Sequence, residues 1–205
     1  MVPPEGGRRR TRAQQNAASG RRLLEALIEL TAEQGYEATA AAAIGVRAGF
    51  SRAMVHARYG TKDALLDELM RTEYEERIVP APDDTTTGLD QVLARVDRLA
   101  DLTTEDERFL KAMFVLSFEA VRGSPALTPR ITAWMTELEK GVIGALETGK
   151  HDGSVRENLN TSTAARDILI AGVGIAYAWI VLPGTDLHAQ LARWRGRIVS
   201  DCAAA

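Results

Sequence analysis

The sequence of 205 residues has one cysteine, no long apolar run and no alternating strand pattern, and each absence narrows what the chain can be. Cys202 alone excludes an internal disulfide and a metal cluster built from cysteines. The longest apolar stretch, from Ile168 to Leu182, is about 15 residues, short of the ~18 that indicate a membrane-spanning helix. The N-terminus is charged with no apolar segment behind it, unlike a signal peptide. We therefore expect a cytoplasmic protein that does not contact a membrane.

Groups suited to catalysis are also sparse. The three histidines, His56, His151 and His188, lie far apart, and none has a partner carboxylate at metal-ligand spacing. The chain has no glycine-rich phosphate loop and no nucleophile motif. The polar stretch that holds His151, Asp152 and Glu157 is typical of a solvated loop. We expect no enzyme, no cofactor and no metal site.

Charge is divided unevenly, although the net charge is only −3. Residues 1–62 contain 10 Lys and Arg against 5 Asp and Glu, whereas the remainder contains 15 against 23. A basic head on an acidic body favours contact with a polyanion at one end. The alternative is a solvated basic tail, because several of these arginines lie in residues 1–18.

Helical periodicity runs through the chain after a flexible basic arm over residues 1–18. An amphipathic helix starts near Ser19 and ends near Gly35, and an alanine-rich helix comes after it. A short turn leads to a third helix, and a fourth, connecting helix covers 62–79. This order predicts a helix-turn-helix DNA-binding domain with its connecting helix over residues 19–79.

The stretch from Ala48 to Tyr59 carries the turn and the third helix. Gly49 permits a positive φ, Phe50 is expected to pack into the hydrophobic core, and Ser51 is expected to cap the third helix. Thr39 and Thr61 are the predicted caps of the second and fourth helices. Arginine and histidine side chains on the third helix favour a DNA-reading role.

Residues 80–205 predict a second domain of five further helices, after a boundary at Pro80 and Pro82. The fold class is therefore all-α, with about nine helices. The helix from about Thr161 to Leu182 is apolar on nearly every face beyond Ile168. This pattern predicts a helix buried on all sides.

A set of residues in the head recurs at a spacing without gaps. Its members are Leu23-Leu24-Glu25-Ala26, Glu33, Gly35-Tyr36, Thr39, Ile44, Ala48-Gly49-Phe50-Ser51, Tyr59 and Thr61-Lys62-Asp63-Ala64-Leu65-Leu66. In these positions residues 21–66 resemble the TetR family of transcriptional regulators. Gly45 stands where that family favours alanine, and His56 where it favours tyrosine. The resemblance implies a repressor released from a palindromic operator by a small effector. An activator and a non-specific structural DNA-binding protein are the alternatives.

A helix-turn-helix places the first residues of its third helix nearest the base edges in the major groove. We predict that Arg52 reads a guanine there, because a guanidinium pairs bidentately with O6 and N7. Side chains farther along the helix, and those on the flanking helices, are expected to contact phosphates. The predicted DNA-binding residues are Thr39, Arg47, Ser51, Arg52, Ala53, Met54, His56, Arg58 and Lys62.

Two half-sites in double-stranded palindromic DNA require a homodimer. The last two helices carry apolar stripes suited to a dimer interface. The alternative is that these stripes form the hydrophobic core of the C-terminal domain itself. The predicted interface residues are Gly172, Ile175, Trp179, Leu187, Leu191, Trp194 and Ile198.

The resemblance also implies that residues 80–205 are a ligand-binding and dimerisation domain, in which the helices over residues 88–148 enclose the effector pocket. The predicted lining residues are Met113, Phe114, Phe118, Trp134 and Tyr177. The alternative for each is that it packs in the hydrophobic core and lines no pocket. Few charged residues lie on the inward stripes, which indicates an apolar or aromatic effector. A tilt of the fourth helix would then change the separation of the two reading heads.

Overall fold

The structure is a computed structural model that describes residues 12–79 and 86–204. Within these ranges it holds nine helices, counting 62–78 as one, and no strand beyond an isolated bridge between Val155 and Ala203. The helices are α1 (Arg12–Gln34), α2 (Ala41–Arg47), α3 (Met54–Tyr59), α4 (62–78), α5 (Gly88–Glu105), α6 (Glu107–Ala120), α7 (Leu127–Asp152), α8 (Thr161–Val181) and α9 (Leu187–Cys202). The predicted all-α fold is confirmed.

Helix α1 begins at Arg12, seven residues before the start expected near Ser19. Residues 12–18 consist mainly of alanine, glutamine and arginine, which are good helix formers, and no glycine or proline interrupts them. The described part of the predicted arm is therefore helical. Residues 1–11 of that arm lie outside the described residues.

Each of the four helices of the head contributes at least one side chain to the buried core, which continues into the body. Leu23 and Leu27 of α1, Ile44 of α2, Val55 of α3 and Leu65 of α4 are all fully buried. Burying each of these side chains contributes about 1.5–3 kcal/mol, before the cost of ordering the chain. This core fixes α3 relative to α1 and α4.

Only one of the three predicted caps forms. The Thr61 hydroxyl accepts a hydrogen bond from the backbone N–H of Ala64 at 3.0 Å, as predicted. The cap positions of α2 and α3 are Ala40 and Ala53, and neither has a side-chain cap bond. At the start of α3 the backbone carbonyl of Ser51 accepts from Met54 N–H instead. The predictions for Thr39 and Ser51 as caps were wrong by one or two residues.

Helix α4 joins the head to the body and is not regular along its length. It is α-helical over Lys62–Leu69, π-helical over Met70–Tyr74 and α-helical again over Glu75–Ile78. Its end at Ile78 is buried in the body. The predicted domain boundary at Pro80 lies outside the described residues.

Two ion pairs tie α4 to the body. The guanidinium of Arg130 on α7 contacts both carboxylate oxygens of Asp67, at 2.5 and 2.9 Å. Arg77, near the end of α4, reaches Asp106 at the start of α6 at 3.0 Å. Movement of α4 against α6 and α7 therefore requires these pairs to break or to move together.

Helix α8 differs from its prediction, because it is not buried on all sides. It packs against α7, α9 and α6 and leaves one apolar face exposed. We call this face the α8 stripe, and it consists of Ile170, Val173, Tyr177 and Val181. By length and composition alone, α8 could also cross a membrane, and 11% of its most apolar 18-residue segment is buried within the chain. Core helices of soluble proteins pass the same test.

Candidate nucleic-acid interface and effector cavity

The turn between α2 and α3 is closed by backbone contacts. The N–H of Phe50 donates to the carbonyl of Gly45 at 2.8 Å, and Gly49 has a φ of +75°, as its predicted role requires. A Cβ at Gly45 would collide with the carbonyl oxygen of Ser51. Glycine at position 45, where the TetR family favours alanine, thus lets the turn approach α2 closely.

One side of helix α3 packs against the core of the head. Val55 is fully buried, and Met54 and Tyr59 are partly buried against the same core. The remaining positions around the start of α3 face solvent together. We call this surface the reading face, and it consists of Ser51, Arg52, Ala53, His56 and Ala57. Ala57 was not among the predicted residues, although it lies one helical turn beyond Ala53.

Arg52 is the one cation of the reading face. Within the described part of the chain its guanidinium makes no ion pair or hydrogen bond, and small side chains flank it. Beside it, the Nδ1 of His56 lies 2.8 Å from the carbonyl oxygen of Gly60. Since a carbonyl only accepts, Nδ1 carries the proton and Nε2 stays available at the surface.

Arg47 is engaged inside the head. Its guanidinium contacts Glu29 at 3.1 Å and Glu33 at 2.8 Å, both on α1. Hydrogen bonds to these carboxylates raise the pKa of Arg47, and the bond from Arg47 lowers the pKa of Glu33. In this arrangement Arg47 joins α2 to α1 and presents no free charge to a phosphate.

Lys62 and Thr39 hold the corner between α1 and α2. The Lys62 ammonium donates to the carbonyl of Tyr36 at 2.9 Å and lies 3.8 Å from the centre of its ring. Burial lowers the pKa of Lys62. The Thr39 hydroxyl, buried, donates to the carbonyl of Gly35 at 2.7 Å. Both residues support the head from within.

Arg58 turns back toward α1, where it donates to the Ser19 hydroxyl at 3.1 Å. A cation that the sequence did not single out lies at the turn instead. The guanidinium of Arg22 is 4.6 Å from the centre of the Phe50 ring and sits beside Gly49. Arg22 is exposed on α1, and its periodicity there gave no sign that it would meet the turn.

An apolar cavity of about 90 Å³ lies in the body between α4 and the helices α5 to α9. Four of the five predicted lining residues line it: Met113, Phe114, Phe118 and Trp134. Tyr177 lies outside it, with its ring edge-on to Phe118 at 5.7 Å between centres. Ile78, the last residue of α4, lines the cavity as well, so the cavity touches the helix that leads to the head.

Most predicted interface residues are internal. Leu187, Leu191, Trp194 and Ile198 are buried within the chain, and a Cβ at Gly172 would lie 2.9 Å from the Trp194 ring. Trp179 packs edge-on to Phe114 at 6.2 Å, and Ile175 is partly buried. The stripe on α9 is therefore core, and the surface open to a partner is the α8 stripe.

Potential metal ligands are scattered in the part of the chain that the structure describes. No group of three or more His, Cys, Asp or Glu residues is placed to hold an ion there. Cys202 is buried at the end of α9, where burial raises the pKa of its thiol.

Residues 23–69, which include α2, α3 and the turn between them, match the bacterial regulatory proteins of the tetR family. The N-terminal domain is a TetR-family helix-turn-helix. The resemblance inferred from residues 21–66 is thereby confirmed. No curated sequence matches the chain significantly.

Solved TetR-family regulators share the architecture of the whole chain. Full-length tylp, a tetR regulator from Streptomyces fradiae, is 22% identical, with a TM-score of 0.76 over 95% of this chain and 89% of that one. SmeT in complex with triclosan is 21% identical, with a TM-score of 0.76 over 91% and 92% of the two chains. SmeT is the repressor of a multidrug efflux pump of Stenotrophomonas maltophilia. These likenesses confirm the fold, a TetR-type head on a helical body.

Proposed function

We propose that the chain is a transcriptional repressor that binds a palindromic operator as a homodimer and releases it when a small effector occupies the body. The observation that carries the proposal is the exposed, unpaired Arg52 on the reading face of a TetR-type helix-turn-helix. In this geometry α3 enters the major groove and its first residues lie nearest the bases.

The other cations of the head divide by what they already bind. Arg47, Arg58 and Lys62 have partners inside the head, so we assign them to holding α3 in place. Arg52 is left for base readout, and Arg22, at the turn, for a phosphate. His56 presents Nε2 beside Arg52, and we assign it to a contact with the DNA strand that Arg52 reads, either at a base or at a phosphate.

The α8 stripe supports the homodimer. Its four apolar side chains lie along one line on α8, next to Gly174, at which a Cβ would meet nothing within 4 Å. On α9, Ala192 and Gly196 are exposed as well and leave the approach unobstructed. An apolar face on a helix is stabilised when a second copy covers it across a two-fold axis.

The cavity supports effector control. Its lining is apolar and aromatic, and Ile78 connects it to α4. A related fold binds triclosan in the SmeT complex, and a regulator from Saccharomonospora viridis with 16% identity is in complex with choline. An effector that fits one position of α4 better than another would change the spacing of the two heads.

Two alternatives use the same surfaces. An activator would bind the same operator and differ only in raising transcription once it is bound. A non-specific structural DNA-binding protein is disfavoured by the acidic body, which carries 23 Asp and Glu against 15 Lys and Arg after residue 62. Enzymatic activity is not expected.

Selection from a pool of random DNA duplexes tests the proposal. The full chain should enrich a symmetric site with half-sites about one helical turn apart, or a multiple of it. Arg52→Ala should lose the preference at one base pair of each half-site, a change of about 1–3 kcal/mol. Arg193→Ala, which removes an exposed arginine on α9, is the matched control and should keep the full site. Enrichment of no defined sequence would overturn the proposal.

A further inference from the structure

We propose that the effector is a neutral amphipathic molecule, with an apolar part in the cavity and an uncharged polar head in the groove between α6, α7 and α8. This inference rests on the proposed effector-controlled function and adds the chemical class of the effector. It replaces a wholly apolar effector, which the inward stripes alone indicate.

The cavity is too small to hold a whole effector. Its volume of about 90 Å³ is below the ~150 Å³ of an apolar cavity that takes up benzene. Sites for drug-sized ligands measure about 300–1,000 Å³. The cavity therefore accommodates one apolar portion of a ligand, and the rest of the ligand must lie elsewhere.

An open groove of about 620 Å³ continues from the cavity, and since Ile170 and Val173 of the α8 stripe line it, the groove borders the proposed dimer interface. Four residues line both spaces and form the junction between them: Ser117, Met135, Leu169 and Val173. An extended molecule that passes this junction has one end enclosed and the other end in the groove. Together the two spaces reach the size of an ordinary ligand site.

Hydrogen-bonding groups begin at the junction. Ser117 contributes the one hydroxyl among the described cavity-lining residues, and it donates to the carbonyl of Met113 at 3.1 Å. In the groove, the Thr136 hydroxyl donates to the carbonyl of Thr132 at 2.8 Å. The Thr132 hydroxyl makes no hydrogen bond within the described part of the chain. It is thus available to a head group that donates or accepts.

The charges of the groove are already balanced. Arg166 donates to one oxygen of Glu139 through Nε at 3.0 Å and through a terminal nitrogen at 2.9 Å. No charged side chain lines the cavity among the described residues. A carboxylate or ammonium head bound beside this pair finds no unpaired counter-charge, although it gives up part of its hydration on entering the groove. An uncharged hydroxyl or carbonyl head avoids that loss.

The chain carries its own reporter of the site. Trp134 and Trp194 line the cavity, and Trp179, the third tryptophan of the sequence, contacts the cavity residue Phe114. Tryptophan fluorescence therefore reports on cavity occupancy without DNA and without a label.

The experiment titrates the full chain with four probes: 1-octanol, nonanoate, octylammonium and toluene. The first three share one apolar chain and differ in head charge, and toluene has no polar head. We expect 1-octanol to bind about tenfold tighter than each of the other three. Equal or tighter binding of a charged probe overturns the neutral head, and equal binding of toluene overturns the amphipathic class.

Two variants locate the probe. Thr132→Val keeps the side-chain shape and should weaken 1-octanol about fivefold, with toluene unchanged. Thr148→Val, an exposed threonine on the same helix outside the groove, is its control. Ser117→Leu should obstruct the junction and abolish 1-octanol binding, and Ser117→Val serves if the larger side chain prevents folding. Unchanged 1-octanol binding in Thr132→Val and in the folded Ser117 variant overturns the proposal.

Failure of this inference is distinguishable from failure of the proposed function. If 1-octanol binds with the expected preference but operator affinity stays unchanged, the effector class holds and the effector-controlled release fails. If the chain selects a palindrome but shows no preference among the probes, the DNA-binding function holds and the effector class fails.

Discussion

The carboxylate of Glu119 accepts a hydrogen bond from the backbone N–H of Tyr36 at 2.7 Å. Glu119 comes directly after the cavity residues Ser117 and Phe118 on α6, and Tyr36 is fully buried in the head. The Tyr36 hydroxyl in turn donates to Asp63 on α4 at 2.6 Å. The wall of the cavity is thus joined to the head by a route separate from the end of α4.

Glu119→Ala should uncouple this route. It leaves a buried N–H without an acceptor, so the free energy of unfolding should fall by about 1–3 kcal/mol, measured by urea denaturation. The effect of 1-octanol on operator affinity should also shrink. Glu119→Gln keeps a carbonyl acceptor and should retain most of both quantities. Lys111→Ala, at an exposed position on α6, is the control, and equal behaviour of Glu119→Ala and Lys111→Ala would contradict the coupling.

The ion pair between Arg130 and Asp67 should make stability depend on pH. Its hydrogen bonds lower the pKa of Asp67. A carboxyl group with a depressed folded-state pKa stabilises the fold above its unfolded value, and the contribution is lost as pH falls through the folded value. Asp67→Asn should therefore cost about 0.5–1 kcal/mol at pH 7, because the pair is partly exposed. The difference from wild type should shrink below about pH 4.

Glu68→Gln is the matched control for that measurement, since among the described residues Glu68 pairs only with the exposed Arg71 on the same helix. Its unfolding free energy should stay within about 0.5 kcal/mol of wild type at each pH. A cost of Asp67→Asn that does not change between pH 7 and pH 3 would mean that the carboxylate charge is not what the pair uses.

Tyr177→Glu should disrupt the homodimer. The substitution places a charge in the middle of the α8 stripe, where a partner copy would bury it without a counter-charge. Sedimentation equilibrium should show a monomer at concentrations at which wild type is a dimer. Val46→Glu, at a 55% exposed valine on α2 in the head, should remain dimeric. A dimeric Tyr177→Glu would place the interface elsewhere.

Gly45→Ala should displace the reading helix. Its Cβ would meet the backbone oxygen of Ser51, which has no flexible side chain to move aside. We expect a loss of about 1–3 kcal/mol in unfolding free energy, together with weaker operator binding. Gly144→Ala, at an exposed position of α7 with nothing within 4 Å, should instead stabilise the chain by about 0.5–1 kcal/mol. Thermal denaturation of both variants makes the comparison.

The architecture was predictable because its signals are local. The positive φ of Gly49, the cap at Thr61 and the apolar periodicities depend on residues within a few positions of one another. Roles of individual cations depend instead on distant partners. Arg47 meets Glu33 from 14 positions away, and Lys62 meets Tyr36 from 26. Nothing in the sequence pattern separates a cation held in this way from one exposed to DNA.

The same limit applies to the interface. The stripe of Leu187, Leu191, Trp194 and Ile198 has the spacing of a helix with one buried face. That spacing is identical whether the face meets α5 and α8 of the same chain or a second copy. Only the three-dimensional packing shows that α9 uses its stripe internally and that α8 leaves one open.

The π-helical turn over Met70–Tyr74 sets the rotational phase of the last turn of α4. A bulge of this kind amounts to one extra residue, and one residue corresponds to about 100° around the axis of an α-helix. A regular α-helix of the same length would therefore point Ile78 about a quarter-turn away from the cavity. The face that α4 turns toward the cavity is set by this irregular turn, several residues before Ile78 reaches the cavity.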